Sequence, residues 1–239
     1  GGGYDTLTVF VSDLVNLFHY GDFSPNAIRR MSSFMAQSPR QKFVLYMGKS
    51  LELRRLNYRD AASRSLDLVP SGLGPHPASD ILYSADFRNN NFEPRFPTGR
   101  LAVVTPEQII AYLNKVKEYE AVGDGVEWRK NLLHLGGGFS PTEMSTMANY
   151  LNNYARIAQG PLLGANVIQK TRQNLSESVE TLDVSKEINN GVSLITFFGH
   201  SSTGTTDLDI GMVSSPLSNY KNKGKYPVII MNGCNVGDA

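Results

Sequence analysis

Apolar runs and turn formers alternate along the chain in a pattern that predicts α/β structure. Near the start, "DTLTVFVSDL" is rich in β-forming residues and predicts a strand. A helix is predicted to follow, with Ser24 as its cap and Pro25 at its first position. The run "KFVLYMG" predicts a second, buried strand. Strand–helix–strand order indicates that the strands are parallel.

The middle of the chain divides into an irregular and a regular part. Residues 49–95 are rich in turn formers and predict irregular structure. After them "GRLAVV" predicts a short strand, and "TPEQIIAYLNKVKEYE" predicts a helix that Thr105 caps. The buried face of this helix is predicted to consist of Ile109, Tyr112, Leu113, Val116 and Tyr119.

The stretch "AVGDGVE" predicts a boundary between two α/β subdomains, 1–122 and 123–239. The pattern then starts again with a strand in "WRKNLLHLGGG" and a helix that Ser140 caps. A short helix in "VSKEINNG" and two apolar strands complete the second subdomain.

The last two strands each end on a reactive side chain. The run "SLITFFGH" ends on His200, and the run "YPVIIMNGC" ends on Cys234. Apolar runs without alternation predict strands that are buried on both faces of a parallel sheet. Sites in such sheets form at the carboxyl ends of the strands. If these two strands are neighbours, about 4.8 Å apart, His200 and Cys234 project over the same edge.

This pair suits covalent catalysis by a thiol. A nearby imidazole can take the proton of Cys234 and later protonate a leaving amine. Gly199 and Gly233, which precede the two residues, leave room for a substrate backbone and for peptide N–H groups that face an oxyanion. The alternative is that Cys234 packs as a small buried hydrophobic residue and His200 satisfies a turn.

Composition excludes several other classes. The formal net charge of +1 gives no electrostatic reason to expect nucleic acid or an anionic membrane as partner. A single cysteine cannot form an internal disulfide or a multi-cysteine zinc site. No apolar stretch approaches the roughly 20 residues that a transmembrane helix needs.

A family resemblance is carried by several of these segments. Two segments, "GVSLITFFGHSSTGTTD" and "KYPVIIMNGCNVGD", together resemble the catalytic segment of the gingipain family. The members of this family are cysteine peptidases of the caspase-like clan. The join between the two subdomains of that family is similar to "FPTGRLAVVTPEQIIAYLNKVKEYE" with "WRKNLLHLGGG". PorU-type sortases of the type IX secretion system are most similar to "VSDLVNLFHYGDFSPNAIRRM" before "FVLYMG".

The resemblance implies a three-layer α/β sandwich with mostly parallel sheets and two subdomains. It implies Cys234 as nucleophile, His200 as general acid/base, and an oxyanion site at the backbone of Gly199–Ser201 and the Cys234 N–H. It also implies that no cofactor is required. It further implies an exported protein, at the outer membrane or cell surface or outside a Gram-negative cell. The sortases remove C-terminal signals from exported proteins, attach the product to a surface glycolipid and work with outer-membrane secretion components.

The chain departs from the family pattern in three places. The family reads Gly-His-Gly, whereas Ser201 follows His200 here. Gingipains carry a His-orienting Glu after the strand equivalent to "NLLHLGGG", and the nearest carboxylate here is that of Glu143. Glu143 is either the third catalytic residue or a first-turn acid that the helix dipole favours. Gingipains have an acidic pocket that binds the Arg or Lys side chain of the substrate. No segment of this sequence matches that pocket.

These departures leave two alternatives to a sortase-like peptidase: a secreted gingipain-like endopeptidase, or a surface or secretion protein that keeps the fold without turnover. We also expect the 239 residues to be part of a longer chain, incomplete at the start and cut just after the nucleophile.

Two pairs of aspartates are further candidates. The segment "SDILYSADF" resembles the Ser-Asp-x-x-Tyr loop of the family, which makes Asp80 and Asp86 candidates for holding a loop over the active site. Asp207 and Asp209 follow the His200 strand, where their oxygens could bind structural calcium, as in some relatives. Solvated turn residues are the alternative for the first pair, and a plain polar loop for the second.

Overall fold

The computed structural model describes residues 5–38, 43–51, 65–72, 79–85, 92–123, 125–202 and 204–236, together with Gly3 and Arg40. It confirms the predicted α/β class. The chain divides into two compact units, 1–111 and 112–239. This division falls inside a helix, whereas the predicted boundary at 122/123 lies just past the end of that helix.

Helices and strands alternate in both units. The helices are α1 (Val11–His19), α2 (Pro25–Met35), α3 (Ile81–Ser84), α4 (Pro106–Ala121), α5 (Pro141–Ala158) and α6 (Ser185–Asn190), with short 3-10 turns at Glu127–Lys130 and Pro216–Ser218. The strands are β1 (Val44–Met47), β2 (Thr98–Leu101), β3 (Asn131–Gly136), β4 (Asn166–Thr171), β5 (Glu180–Thr181), β6 (Leu194–Phe198), β7 (Ser201–Ser202), β8 (Thr205–Thr206), β9 (Leu208–Asp209) and β10 (Val228–Asn232).

The strand predicted at the start of the chain is wrong. Residues 5–10 are irregular, and the apolar run continues as helix α1. Its β-branched residues favour a strand locally, but Val11, Leu14, Val15 and Phe18 recur at helical spacing. Leu14 and Val15 are buried in the core of the first unit, and the other two pack against it. Packing of this face therefore outweighs the local β propensity.

The rest of the first unit follows the predicted pattern more closely. Helix α2 begins as expected, because the Ser24 hydroxyl accepts the N–H of Asn26 at 3.2 Å and Pro25 is the first helical residue. Strand β1 pairs with β2 in parallel, with Val44 opposite Thr98. The predicted parallel pair across α2 is wrong, because the strand expected before α2 is absent from the described residues. The strand after α2, β1, pairs in parallel with β2 instead.

Four parallel strands in the order β10-β6-β3-β4 form the sheet of the second unit. Leu133 and Leu135 of β3 lie on the face that packs with Ile188 of α6. Gly136 points to the other face, where a Cβ would lie 3.1 Å from Leu151 of α5. Helices therefore cover both faces of β3, which confirms the predicted three-layer arrangement in this unit.

Both of the last two strands are predicted to be buried, but only β6 is buried in the structure. Ile195, Thr196 and Phe197 of β6 are all buried. Val228 of β10, in contrast, is 65% exposed, and Ile229 is 47% exposed. Strand position accounts for this difference, because among the described residues β6 has a strand on each side whereas β10 has a strand on one side.

The predicted buried face of α4 is also wrong. None of residues 106–121 is buried, and Tyr112 and Leu113 are each 47% exposed. Helical periodicity identifies which side chains share a face, but burial also requires a neighbouring element that packs on that face. No helix in the described parts of the chain is long and apolar enough to span a membrane.

A buried histidine makes the fold sensitive to acid. His134 of β3 is 2% exposed, and neither ring nitrogen has a hydrogen-bond partner among the described residues. Burial lowers the pKa of the His134 imidazole below its usual value of 6.5. The unfolded chain therefore binds a proton where the folded protein does not, and stability falls as the pH drops below about 6.5.

We expect His134→Leu to remove this acid sensitivity. Between about pH 6.5 and the lower folded-state pKa, His134 can cost up to about 1.4 kcal/mol of unfolding free energy per pH unit. Urea unfolding of the wild type and the variant at several pH values measures the difference in slope. Equal slopes in the two proteins would contradict the assignment.

Candidate active site

The carboxyl ends of β3, β6 and β10 lie side by side. Phe198 at the end of β6 is paired with Gly136 on one side and with Asn232 on the other. The Gly199 N–H then donates to the Asn232 carbonyl at 3.2 Å. The prediction that the last two strands are parallel neighbours is confirmed. His200 and Cys234 each follow two residues after the paired ends, at the same edge of the sheet.

A side chain next to His200 links the two strand ends. The Ser201 hydroxyl donates a hydrogen bond to the Cys234 carbonyl at 2.5 Å. A Cβ at Gly233 would lie 2.2 Å from the Ser201 oxygen, so Gly233 leaves the space that this hydroxyl fills. Cys234 itself is exposed, whereas the alternative packing role for this cysteine requires burial.

Glu143 and His200 are in contact. Glu143 Oε2 lies 3.2 Å from His200 Nε2 and accepts the Phe139 N–H at 2.7 Å. The Ser140 hydroxyl caps α5, as predicted, by accepting the Glu143 N–H. The Phe139 N–H, together with His200, holds the pKa of the Glu143 carboxyl below its usual range. Glu143 therefore presents a carboxylate to the imidazole at neutral pH.

An aromatic ring lies against the imidazole. The Phe139 and His200 rings are stacked, with centroids 4.5 Å apart and planes 10° from parallel. The guanidinium carbon of Arg172 lies 5.4 Å from the centroid of the Phe139 ring, within cation–π range. Arg172 is 1% exposed, and its guanidinium donates to the carbonyls of Asn174, at 2.9 Å, and Glu177.

Asp207 is buried directly beneath this edge. Its N–H donates to the His200 carbonyl at 2.9 Å, and its Oδ2 accepts the Gly138 N–H at 2.6 Å. A Cβ at Gly137 would lie 2.1 Å from Asp207 Oδ1, and a Cβ at Gly199 would lie 2.6 Å from the same oxygen. The carboxylate therefore fills a notch that these glycines leave between β3 and β6.

Asp209 has a local hydrogen bond. Its Oδ1 accepts the Gly211 N–H at 2.9 Å in the loop that follows β9. Within the described residues, no three His, Cys, Asp or Glu side chains are grouped so that they could hold a metal ion. Calcium binding by Asp207 and Asp209 stays a prediction.

The predicted loop aspartates belong to the first unit. Asp80 forms a bidentate salt bridge with Arg100, with both N–O distances at 2.7 Å. The same guanidinium donates to the carbonyls of Gly48 and Val69, so the pair holds the segments around β1 and β2 together. Asp86 lies outside the described residues. A role for either aspartate over the active site stays a prediction.

The sequence patterns assign Phe139 no part in the site. Its contact with His200 depends on the pairing of β3 with β6, since that pairing brings residues 139 and 200 to one edge. Arg172 was missed altogether. The signal for it was a lone Arg at the end of β4, the other neighbour of β3.

Known proteins were compared with this chain by sequence and by fold. The model of Peptidase family C25 matches residues 1–239. The crystal structure of the Arg-specific cysteine proteinase gingipain R (RgpB) is similar, with a TM-score of 0.67 at 17% identity; 90% of this chain and 46% of that chain are covered. A search of curated proteins found no match.

A second solved structure has a similar fold. The complex of the pro- and mature domains of Porphyromonas gingivalis RgpB matches with a TM-score of 0.58 and 17% identity, over 92% of this chain and 48% of that chain. At this identity the likeness is one of fold. The chain spans about half the length of the solved chains that it matches.

The contact between Gly233 and Ser201 can be tested by a pair of substitutions. Gly233→Ala places a methyl group against the Ser201 hydroxyl, and overpacking of this kind costs about 1–3 kcal/mol of unfolding free energy. Ser201→Gly in the same protein removes the clash, so the double variant should regain most of that loss. Thermal or urea unfolding measures all three variants.

Gly123→Ala is the matched control, because its Cβ would meet no atom within 4 Å among the described residues. It should change stability little. If Gly233→Ala is as harmless as the control, or if Ser201→Gly does not rescue it, the assignment of the contact is wrong.

Proposed function

Because the chain belongs to peptidase family C25, which its whole length matches, we propose that it carries the catalytic residues of a cysteine peptidase. Cys234 is the nucleophile, and His200 is the general acid/base. The observation that supports this best is the register of β6 and β10, which brings the two residues to the same level of one edge. The exposure of Cys234 leaves its thiol accessible to a peptide.

Glu143 decides which ring nitrogen of His200 does the chemistry. An ionised carboxylate accepts a proton-bearing donor, so the Nε2 that faces Glu143 carries the hydrogen. The neutral imidazole then keeps its lone pair on Nδ1. Nδ1 is thus the atom that takes the thiol proton, and Glu143 stabilises the imidazolium that results. This contact favours a working site over a fold retained without turnover.

The reaction proceeds in two stages, acylation of Cys234 and release of the acyl group. The thiol proton moves to His200 Nδ1 while the sulfur of Cys234 attacks the peptide carbonyl carbon and forms a C–S bond. The C–N bond then breaks, and the imidazolium gives its proton to the leaving amine. The backbone around Gly199–Ser201 and the Cys234 N–H stabilise the oxyanion. Water or a second amine then gives a proton to His200 and attacks the thioester, the C–S bond breaks, and the imidazolium returns the proton to the sulfur of Cys234.

Alkylation of Cys234 by iodoacetamide tests the pair directly. In the full-length protein, modification of the Cys234 peptide is followed by mass spectrometry as a function of pH. We expect His200→Ala to slow alkylation at neutral pH and to lower the rate of peptide cleavage by about 10²–10⁴-fold, the usual contribution of general acid–base catalysis.

His134→Ala serves as the control, because that histidine is buried in the middle of β3, away from the strand ends. Its alkylation profile should match that of the wild type where both are folded. A Cys234 that reacts at the same rate with and without His200 would contradict the proposed dyad.

We propose further that the enzyme is sortase-like. The support is the likeness of residues 11–31 and of the strand after them to PorU-type sortases, together with the lack of a match to the gingipain pocket for Arg or Lys. In this role it cleaves C-terminal signals from exported proteins at the outer membrane or cell surface of a Gram-negative bacterium. Its partners are the cargo protein and outer-membrane secretion components.

Product analysis separates transfer from hydrolysis. The full-length protein is incubated with a cargo that bears the signal domain, with and without an added primary amine. A sortase-like enzyme should join the amine to the new carboxyl terminus, which mass spectrometry detects. Hydrolysis alone, unaffected by the amine, would favour a secreted endopeptidase, and no cleavage of cargo or peptide libraries would favour an inactive fold.

A further inference from the structure

The orientation of the His200 ring needs more than its hydrogen bond. The contact between His200 Nε2 and Glu143 sets the direction in which one nitrogen points. It does not set the plane of the ring, because the imidazole can still turn about the line that joins the two atoms. Rotation about this line moves Nδ1, the atom that has to meet the thiol. A second contact is required to fix the plane.

Phe139 provides such a contact. Its ring lies parallel to the imidazole within 10°, at a centroid distance of 4.5 Å. Stacked aromatic pairs have a preferred geometry and contribute about 0.5–1.5 kcal/mol beyond their burial. The ring stack and the hydrogen bond restrict different rotations of the imidazole. Together they restrict the position of Nδ1 more than either contact does alone.

Phe139 is itself held on several sides. Its N–H donates to the same Glu143 oxygen that His200 contacts, so one residue positions both the carboxylate and the imidazole. Its neighbour Ser140 caps α5, which fixes the backbone at this point. The buried Arg172 guanidinium lies in cation–π range of its ring.

Burial does not explain why an aromatic residue is present. The Phe139 side chain is 54% exposed, so much of its apolar surface remains in water. An exposed aromatic residue with this many fixed neighbours is typical of a positioning role or of a wall that contacts substrate. The two roles predict different effects on catalysis.

We infer that Phe139 is a positioning residue that fixes the plane of the His200 imidazole and so directs Nδ1 toward Cys234. This inference rests on the proposed function. It adds that the residue in the loop after β3 acts through His200, by stacking and by its N–H bond to Glu143, rather than by touching the substrate.

Two substitutions at Phe139 test the inference. Phe139→Leu removes the ring but keeps an apolar side chain and the backbone N–H, and Phe139→Tyr keeps the ring. We expect Phe139→Leu to lower kcat about tenfold with little change in KM, since misorientation of a catalytic group is costly. It should also slow the alkylation of Cys234 at neutral pH. Phe139→Tyr should behave as the wild type in both assays.

Tyr150→Leu is the matched control. Tyr150 is also about half exposed and contacts an aromatic ring, but that ring belongs to Phe198 and not to His200. Its removal should leave kcat and alkylation unchanged. In a His200→Ala background Phe139→Leu should not slow the alkylation of Cys234 any further, because its action passes through the imidazole.

Three outcomes would overturn the inference. The first is a rise in KM with kcat and alkylation unchanged, which identifies a substrate wall. The second is that Phe139→Leu slows the alkylation of Cys234 equally in the wild type and in His200→Ala. The third is a loss of activity in Phe139→Tyr as large as that in Phe139→Leu.

An NMR measurement keeps the inference separate from the proposed function. A stacked ring shifts the carbon-bound proton signals of His200 upfield, and this shift should vanish in Phe139→Leu and persist in Phe139→Tyr. If Cys234 alkylation is indifferent to His200 in the wild type, the proposed function fails while the stack is still measured. If the shift is unchanged in Phe139→Leu, the positioning role fails even where the dyad holds.

Discussion

The level, parallel pairing of β10, β6 and β3 is the constraint on which the site depends. Phe198 is paired with both Gly136 and Asn232, so the three strands end at one height. A slip of one residue would displace a strand by about 3.3 Å and turn its side chains to the opposite face. The apolar residues that bury β6 and β3 against α6 penalise such a slip. Packing of the core therefore determines the relative positions of His200 and Cys234.

Close approach at the strand ends gives the site its second constraint. Three glycines, Gly137, Gly199 and Gly233, lie where any side chain would meet a polar group of a neighbouring segment. Asp207 fills the space next to the first two, and Ser201 fills the space next to the third. Each of these polar side chains makes a hydrogen bond across the edge. The glycines, which have no side chains, therefore leave the space in which Asp207 and Ser201 form hydrogen bonds between the strand ends.

The sequence predicted the sheet that carries the site but not the exposure of its parts. Apolar runs identified β6 and β10, and capping residues identified the starts of α2 and α5, because both signals are local. Helix α1 was predicted as a strand because its composition favours β structure, whereas its burial follows helical spacing. The exposure of β10 could not be predicted, since an edge position depends on strand order.

The site itself was predicted in part. The adjacency of the His200 and Cys234 strands followed from two matched strand ends, which is a topological argument that needs no side-chain detail. The sequence is compatible with two roles for Glu143, and its contact with His200 arises because the first turn of α5 follows closely after the end of β3. The stack of Phe139 on His200 depends on ring orientations, and these are determined by packing rather than by any pattern in the sequence.

The long separation along the chain between the strands of this sheet has a consequence for the order of folding. Strand β3, which leads into Phe139 and Glu143, precedes β6 along the chain, and β6 precedes β10. Parallel pairings of this kind close large loops and form late. Cys234 therefore joins His200 and Glu143 only after β3, β6 and β10 have paired. In a chain whose strands are not yet paired, the imidazole and the carboxylate of the candidate site lie apart from the thiol, so the site forms with the sheet rather than before it.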